Sequence, residues 1–245
     1  MKKNIKITIE YDGTNYAGWQ KQKNAITIQQ KVEEAIAEVI GNHIEVIGCS
    51  RTDAGVHAKG FVGNFITDST IPPERFKYAI NNRLPDDIVI LKSEEVPLNF
   101  HSRYCSKGKT YVYTILNRNE RPVINKNYVY QVSNLLDLDL MTEGSKHFLG
   151  KHYFDSFRKS GSSVKSTERT IYSIDIKKEG EYITIKVTGD GFLYNMVRIM
   201  VGTLIEVGIG KISPTDISNI IIAKDRARAG KSVPPQGLCL HKVFY

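Results

Sequence analysis

The chain is 245 residues long, is 41% hydrophobic, and carries 34 Lys and Arg against 26 Asp and Glu, for a formal charge of +8 and a pI near 9.2. This is the composition of a soluble globular protein with enough chain for a sizeable core, in one large or two modest domains, and its basic balance suits a polyanionic partner. Three well-separated cysteines (Cys49, Cys105, Cys239) without a C-x-x-C pair exclude a zinc ribbon and a disulfide framework.

No apolar run approaches membrane-spanning length. Met1–Ile7 alternates polar and apolar residues where a signal peptide would be continuously apolar, so a cytoplasmic protein is expected. Ile5, Ile7, Ile9 and Tyr11 alternate with Lys6, Thr8 and Glu10, predicting a strand that ends at Asp12-Gly13. A helix follows, with Thr27 and Gln30 as a capping box, Ile28, Val32, Ala35, Ile36, Val39 and Ile40 on one side, and Gly41 as its stop. Strands are predicted near residues 44–49 and 61–66. Pro72-Pro73 opens a short helix with Phe76 and Ile80 inward, and Leu84-Pro85 closes it before a strand at 88–92.

In the second half, Tyr111, Tyr113 and Ile115 alternate along a strand, and two more strands are predicted around Ile174–Ile176 and Ile183–Val187. Between them Lys159–Ser166 reads as a polar, basic surface loop. A long helix is predicted from Phe192 through Asn195, Met196, Ile199, Met200, Thr203, Leu204 and Val207 to Gly208 and Gly210. Ser213-Pro214-Thr215-Asp216 opens the next one. Both halves place a β run before a glycine turn, Ile7-Thr8-Ile9 with Gly13 and Ile183-Thr184-Ile185 with Gly189, which suggests two similar α/β halves. The fold expected is α+β, with mostly antiparallel sheets carrying helices on one face.

The most informative segment is Arg51-Thr52-Asp53-Ala54-Gly55-Val56-His57. It sets a carboxylate two residues from a guanidinium, just before a glycine able to adopt positive φ, which describes a tight turn after a strand. A cation beside a carboxylate favours the ionised form that a nucleophile or general base needs at neutral pH, although an Asp that merely caps a turn has the same spacing.

Ser50–Ala58 closely resembles the signature of the tRNA pseudouridine synthase A family. Tyr11-Asp12-Gly13-Thr14-Asn15-Tyr16-Ala17-Gly18-Trp19-Gln20 is similar to the family's N-terminal motif, and Phe100-His101-Ser102-Arg103 with the Tyr111 strand to its middle block. Phe192, Met196-Val197-Arg198, Val201-Gly202 and Pro234-Pro235-Gln236-Gly237-Leu238 resemble its C-terminal blocks, so that collinear matches run from residue 5 to 245.

The resemblance implies two α/β halves whose sheets join into one extended sheet: residues 1–105 with the catalytic Asp loop, and residues 106–245 completing a basic cleft. It also implies a homodimer, tRNA as partner, and isomerisation of uridine to pseudouridine in the anticodon stem-loop, with no cofactor and no metal. By the same resemblance Asp53 is the catalytic nucleophile, Arg51 fills the space left by a flipped-out base, Tyr111 lies against the uracil, and Arg198 partners Asp53. The reaction breaks and reforms a bond to C1′ through a transition state with oxocarbenium-like charge, which a carboxylate stabilises. The target nucleotide must first be extruded from its stack. Capture of C1′ by Asp53 and a glycal route both remain open.

Read without the resemblance, Arg51 is an ordinary surface arginine, Tyr111 a half-buried strand tyrosine, and Arg198 either a helix-edge residue or a buried cation in need of a charged partner. Arg103, Arg158, Arg169, Arg226 and Arg228 are candidates to line an RNA path. His57 and His101 lack a third ligand at a recognisable metal spacing, and structural or RNA-contact roles are expected for them. Ser50, Cys239 and Lys109-Thr110 depart from the family pattern without touching Asp53, Tyr111 or Arg198, which leaves the substrate position as the open question. Two other classes compete. One is an RNA-binding module that does no chemistry, against which the joint presence of Asp53, Tyr111 and Arg198 counts. The other is a carboxylate hydrolase, which needs a second acid or metal ligands.

Overall fold

The computed structural model describes residues 2–159, 161 and 166–245. Most of the basic loop expected at 159–166 lies outside the described residues. The chain forms two compact units, one of Met1–Lys107 with Cys239–Tyr245 and one of Gly108–Leu238.

The first unit opens with β1 (Lys3–Tyr11), whose Ile5, Ile7 and Ile9 are completely buried, as their alternation requires. Helix α1 (Ile28–Ile40) starts where Thr27 Oγ1 accepts the Gln30 N–H and stops at Gly41, which takes φ 77°. Next come β2 (Ile47–Gly48) and the long β3 (His57–Thr67). A one-turn 3-10 helix at Pro73–Arg75 leads into α2 (Phe76–Asn81), which buries Phe76 and Ile80, and β4 (Ile88–Val96) follows.

Strand β1 pairs antiparallel with both β3 and β4, and β2 pairs antiparallel with β3. The strand expected at 44–49 shrinks to two residues because side chains of α1 compete for its backbone. Glu33 of α1, 2% exposed, takes the Val46 N–H on Oε1 at 2.9 Å, and Gln29 Nε2 donates to Val46 O at 3.2 Å. Helix side chains have thereby claimed the backbone groups a longer ladder would use. The Glu33 charge is met by Lys21 Nζ, 2.5 Å from Oε2.

In the second unit β5 (Gly108–Asn117) and β6 (Tyr130–Val132) run parallel, and α3 (Leu138–Lys146) is capped by Asp137, whose carboxylate accepts from Asp139 N and Leu140 N. Strands β7 (Gly150–Tyr153), β8 (Glu168–Glu179) and β9 (Tyr182–Gly189) continue an antiparallel meander whose last member lies against β5. Helix α4 (Met196–Gly208) packs on α3, and α5 (Asp216–Ala223) follows. The expected start of α4 at Phe192 moves to Met196 because Asn195 takes a left-handed φ of 62°, which no helix interior accommodates.

Strand β10 (Leu238–Phe244) ends the chain, and its Cys239 and Leu240 pair in parallel with His57 and Ala58 of β3. The α+β class, with a mostly antiparallel mixed sheet and, among the described residues, five α-helices, is the one expected. Among the described residues no helix is long and apolar enough to cross a membrane.

Candidate active site

Asp53 lies half-buried on the connection between β2 and β3, with Arg51 exposed two residues before it. The turn is the one the heptapeptide requires. Val56 N donates to Asp53 O at 3.2 Å, and Gly55, third in the turn, takes φ 75°.

The Tyr11–Gln20 motif forms the back of this turn. Tyr11 Oη and Thr52 Oγ1 lie 2.8 Å apart, Trp19 N donates to Thr52 O at 3.2 Å, and Gly55 N donates to Tyr16 O at 3.3 Å. Two glycines of the motif sit where a side chain would collide with backbone. A Cβ on Gly13 would strike Val56 O, and one on Gly18, at φ 91°, would strike Thr52 O and come within 3.0 Å of Asp53 C. Behind them Trp19 stacks on Phe61 with ring centroids 3.9 Å apart. The first N–H groups of α1 donate to this segment, Ile28 N to Gly18 O and Gln29 N to Trp19 O. The Asp53 backbone is thus fixed, through Thr52 and Gly18, to the end of a helix.

His57 closes the other side. Its Nδ1 accepts the Gly13 N–H at 3.0 Å and lies 3.0 Å from Asp12 Oδ1, and that oxygen accepts from Thr14 N and Thr14 Oγ1. Tyr16 donates its hydroxyl to Asp87 at 2.5 Å, and burial, with the Asp87 carboxylate adding to it, pushes that hydroxyl far above the usual tyrosine range. His101 accepts backbone N–H groups on Nδ1, so neither histidine of the metal pair considered above points that nitrogen at open space. Among the described residues no three His, Cys, Asp or Glu side chains are grouped to hold a metal ion.

The other two predicted residues belong to the second unit. Tyr111, 6% exposed, stands on β5 opposite Val187 and meets Phe192 edge-on, with centroids 5.3 Å apart. Arg198, in the first turn of α4, is half-buried and donates Nε to Val233 O at 2.7 Å. Its charge acts on Tyr113, which shares a strand face with Tyr111; burial still drives the Tyr113 hydroxyl well above its ordinary value.

Motif glycines again explain the placement. A Cβ on Gly202 of α4 would collide with Lys231 O, so glycine lets the segment that carries Val233 run against the helix. A Cβ on Gly237 would come within 2.6 Å of the Tyr113 ring, whose hydroxyl donates to Pro234 O at 2.7 Å. These supports, like Tyr11, Thr52 and the Asp12–His57 pair, were not identified as site residues from the sequence. The only signal for them was that they fall inside recognised motifs.

The candidate RNA-path arginines separate by surroundings. Arg103 and Arg228 are exposed, while Arg158 lies 4.0 Å from Asp155. Arg169 turns its Nη1 to Ser166 O and Glu168 O, and Arg226 turns its own to Ala229 O. Burial lowers the pKa of both Arg169 and Arg226.

A family model described as tRNA pseudouridine synthase matches residues 7–105 and 145–245, which include Arg51, Asp53 and Arg198, while Tyr111 falls between the two stretches. The chain is 58% identical over 243 residues to tRNA pseudouridine synthase A of Clostridium acetobutylicum, covering 99% of this chain and 100% of that protein. It is equally similar, over the same shares, to tRNA pseudouridine synthase A 2 of Clostridium perfringens, and 52% identical to tRNA pseudouridine synthase A of Acetivibrio thermocellus, again over 99% of this chain and 100% of that protein. A solved chain from the archaeal box H/ACA sRNP Nop10-Cbf5 complex aligns with 82% of this chain and 44% of its own length, at 12% identity and a TM-score of 0.36, a likeness too faint to build on. Near-complete matches at this identity, with every motif of the Asp53 turn in place, mean that the chain belongs to the tRNA pseudouridine synthase A family.

Proposed function

We propose that this pseudouridine synthase isomerises uridine to pseudouridine in the anticodon stem-loop of tRNA, with Asp53 as its catalytic carboxylate. The N1–C1′ bond breaks, the uracil turns, a C5–C1′ bond forms, and C5 loses its proton while N1 gains one, so atoms and electrons balance without a cofactor. Asp53 stabilises or captures the ribose cation that develops at C1′.

Arg51, exposed on the same turn, occupies the stack vacated by the extruded base. Tyr111 lies against the uracil ring, where a stacked base gains roughly 1–3 kcal/mol. Arg198 is the charged partner of the Asp53 carboxylate. The enzyme works in the cytoplasm as a homodimer, and phosphate contacts from its cationic surface supply most of the affinity for tRNA.

The observation that carries this reading is the support of the Asp53 turn by Tyr11, Gly13, Gly18 and Trp19. A catalytic carboxylate must be held close to its productive geometry, and a turn anchored to a helix terminus by backbone bonds does that. The test is incubation with unmodified tRNA, with pseudouridine mapped by carbodiimide-dependent reverse-transcription stops and Asp53→Asn in parallel. Stops at anticodon-stem uridines that vanish in the variant are expected. Stops elsewhere, or stops that persist in Asp53→Asn, overturn the position or the role.

A further inference from the structure

The segment Phe100–Lys107 of the first unit has an unusual division between its base and its tip. At the base Ser102 is fully buried. Its N–H goes to Asn64 Oδ1 at 2.9 Å and its hydroxyl to Ile47 O at 2.5 Å, and its own carbonyl accepts the Tyr245 hydroxyl at 2.7 Å. Asn64 Nδ2 donates to Asn4 Oδ1 at 3.0 Å, and Asn4 Nδ2 donates to Phe100 O at 2.9 Å and Pro97 O at 3.1 Å. The turn is also closed on itself. His101 Nδ1 accepts the N–H groups of Arg103 at 3.2 Å and Tyr104 at 3.3 Å, and Cys105 N donates to His101 O at 2.9 Å.

What this rigid base presents is open. Tyr104 is 77% exposed, its ring lies 4.2 Å from that of His101 at 34°, and the Arg103 guanidinium sits 5.9 Å from the same ring. Arg103 and Lys107 are exposed, and no carboxylate occurs from Phe100 to Lys107.

An aromatic ring fixed in water gains nothing from burial. A rigid π-face beside cations is what an unpaired base and its phosphate require, because the stacking surface is already ordered and little entropy is lost on binding. Through Ser102 and Ile47 the turn is tied to β2, the strand that runs into the Asp53 connection.

We propose that the His101–Cys105 turn is a stacking platform for an unpaired nucleotide of the RNA substrate, distinct from the uridine that is isomerised. Tyr104 and His101 supply the π-face and Arg103 the phosphate contact. The proposal rests on the tRNA reading above.

The test measures binding of an unmodified tRNA transcript at several salt concentrations, alongside pseudouridine formation by the parent protein. Tyr104→Ala is expected to weaken binding about ten-fold, which is ~1.4 kcal/mol, and Tyr104→Phe to stay within about two-fold. Arg103→Gln is expected to reduce the slope of log affinity against log salt by about one. Because an alanine variant can fail to fold, the parent protein is also irradiated with 4-thiouridine-substituted tRNA. Crosslinks on His101–Tyr104 support the platform and their absence overturns it. Tyr104→Ala that binds like a parent active on tRNA sinks the platform alone, whereas a parent that neither binds nor modifies tRNA sinks both readings.

Discussion

The hydroxyls of Tyr11 and Thr52 meet at 2.8 Å in a buried position immediately before Asp53. Removing one hydroxyl of such a pair leaves the other poorly satisfied, at a cost of about 1–3 kcal/mol. Tyr11→Phe is therefore expected to lower the melting temperature and slow single-turnover pseudouridine formation several-fold, with tRNA affinity little changed. Equal losses in affinity and rate would mean that the bond supports the whole unit and not the catalytic turn.

Two glycines with positive φ make a matched pair for separating local strain from damage to the site. Gly18, at φ 91°, faces the Thr52–Ala54 backbone, whereas a Cβ on Gly41, at φ 77°, would meet nothing within 4 Å among the described residues. Gly41→Ala bears only the left-handed backbone penalty of about 1 kcal/mol and should leave activity intact. Gly18→Ala adds a collision with the turn that carries Asp53, and is expected to cost more than about 2 kcal/mol and nearly all turnover. Thermal unfolding and turnover of the two variants side by side provide the check.

Glu94 lies between Lys6 Nζ at 2.7 Å and Lys92 Nζ at 2.6 Å, and the hydrogen bond from Lys6, then that from Lys92, hold its carboxyl below the usual range. With the folded pKa depressed, the unfolded chain takes up the proton first as pH falls. The stabilisation is therefore present above the ordinary glutamate pKa and is lost as pH drops through the folded value. Lys6→Met should cost about 0.5 kcal/mol near pH 7, as a partly exposed pair does, and the difference should fade below about pH 4. Urea titrations at both pH values read it out, and a difference that persists in acid would assign the effect to the packing of Lys6 over Phe100 and Tyr245.

Local signals were enough for the elements whose causes are local. Helix α1 was legible from Thr27 to Gly41 because cap, apolar stripe and stop are all neighbours in sequence. The strand before Asp53 was overextended because its competitors, Gln29 and Glu33, lie more than a dozen residues away. Helix α3 and strand β10 went unread. The first has a thin apolar stripe in a polar stretch, and the second takes its place from parallel pairing with β3, where Cys239 meets His57, 182 residues earlier.

At the site, residue types and spacing drew attention to the Arg51–Asp53 turn, and the family resemblance supplied the roles proposed for it, but neither said why Gly13, Gly18 and Gly202 must be glycine. Each answers to a carbonyl brought in from elsewhere, Val56 O, Thr52 O and Lys231 O, and no local pattern records such an approach.

The return of the chain's final strand has a consequence for how the protein is made. His57 and Ala58 pair with Cys239 and Leu240, Lys107 N donates to Phe244 O, and the buried Ser102 is held by Tyr245. Of the two units, the one whose synthesis starts earlier is therefore the later to be completed. It must wait, with the His57–Ala58 end of β3 lacking its β10 partner, while the whole of Gly108–Leu238 is synthesised and has time to fold. A nascent chain stalled before residue 239 would present the Asp53 turn beside an open sheet edge, the kind of edge on which a chaperone or a second nascent chain can pair.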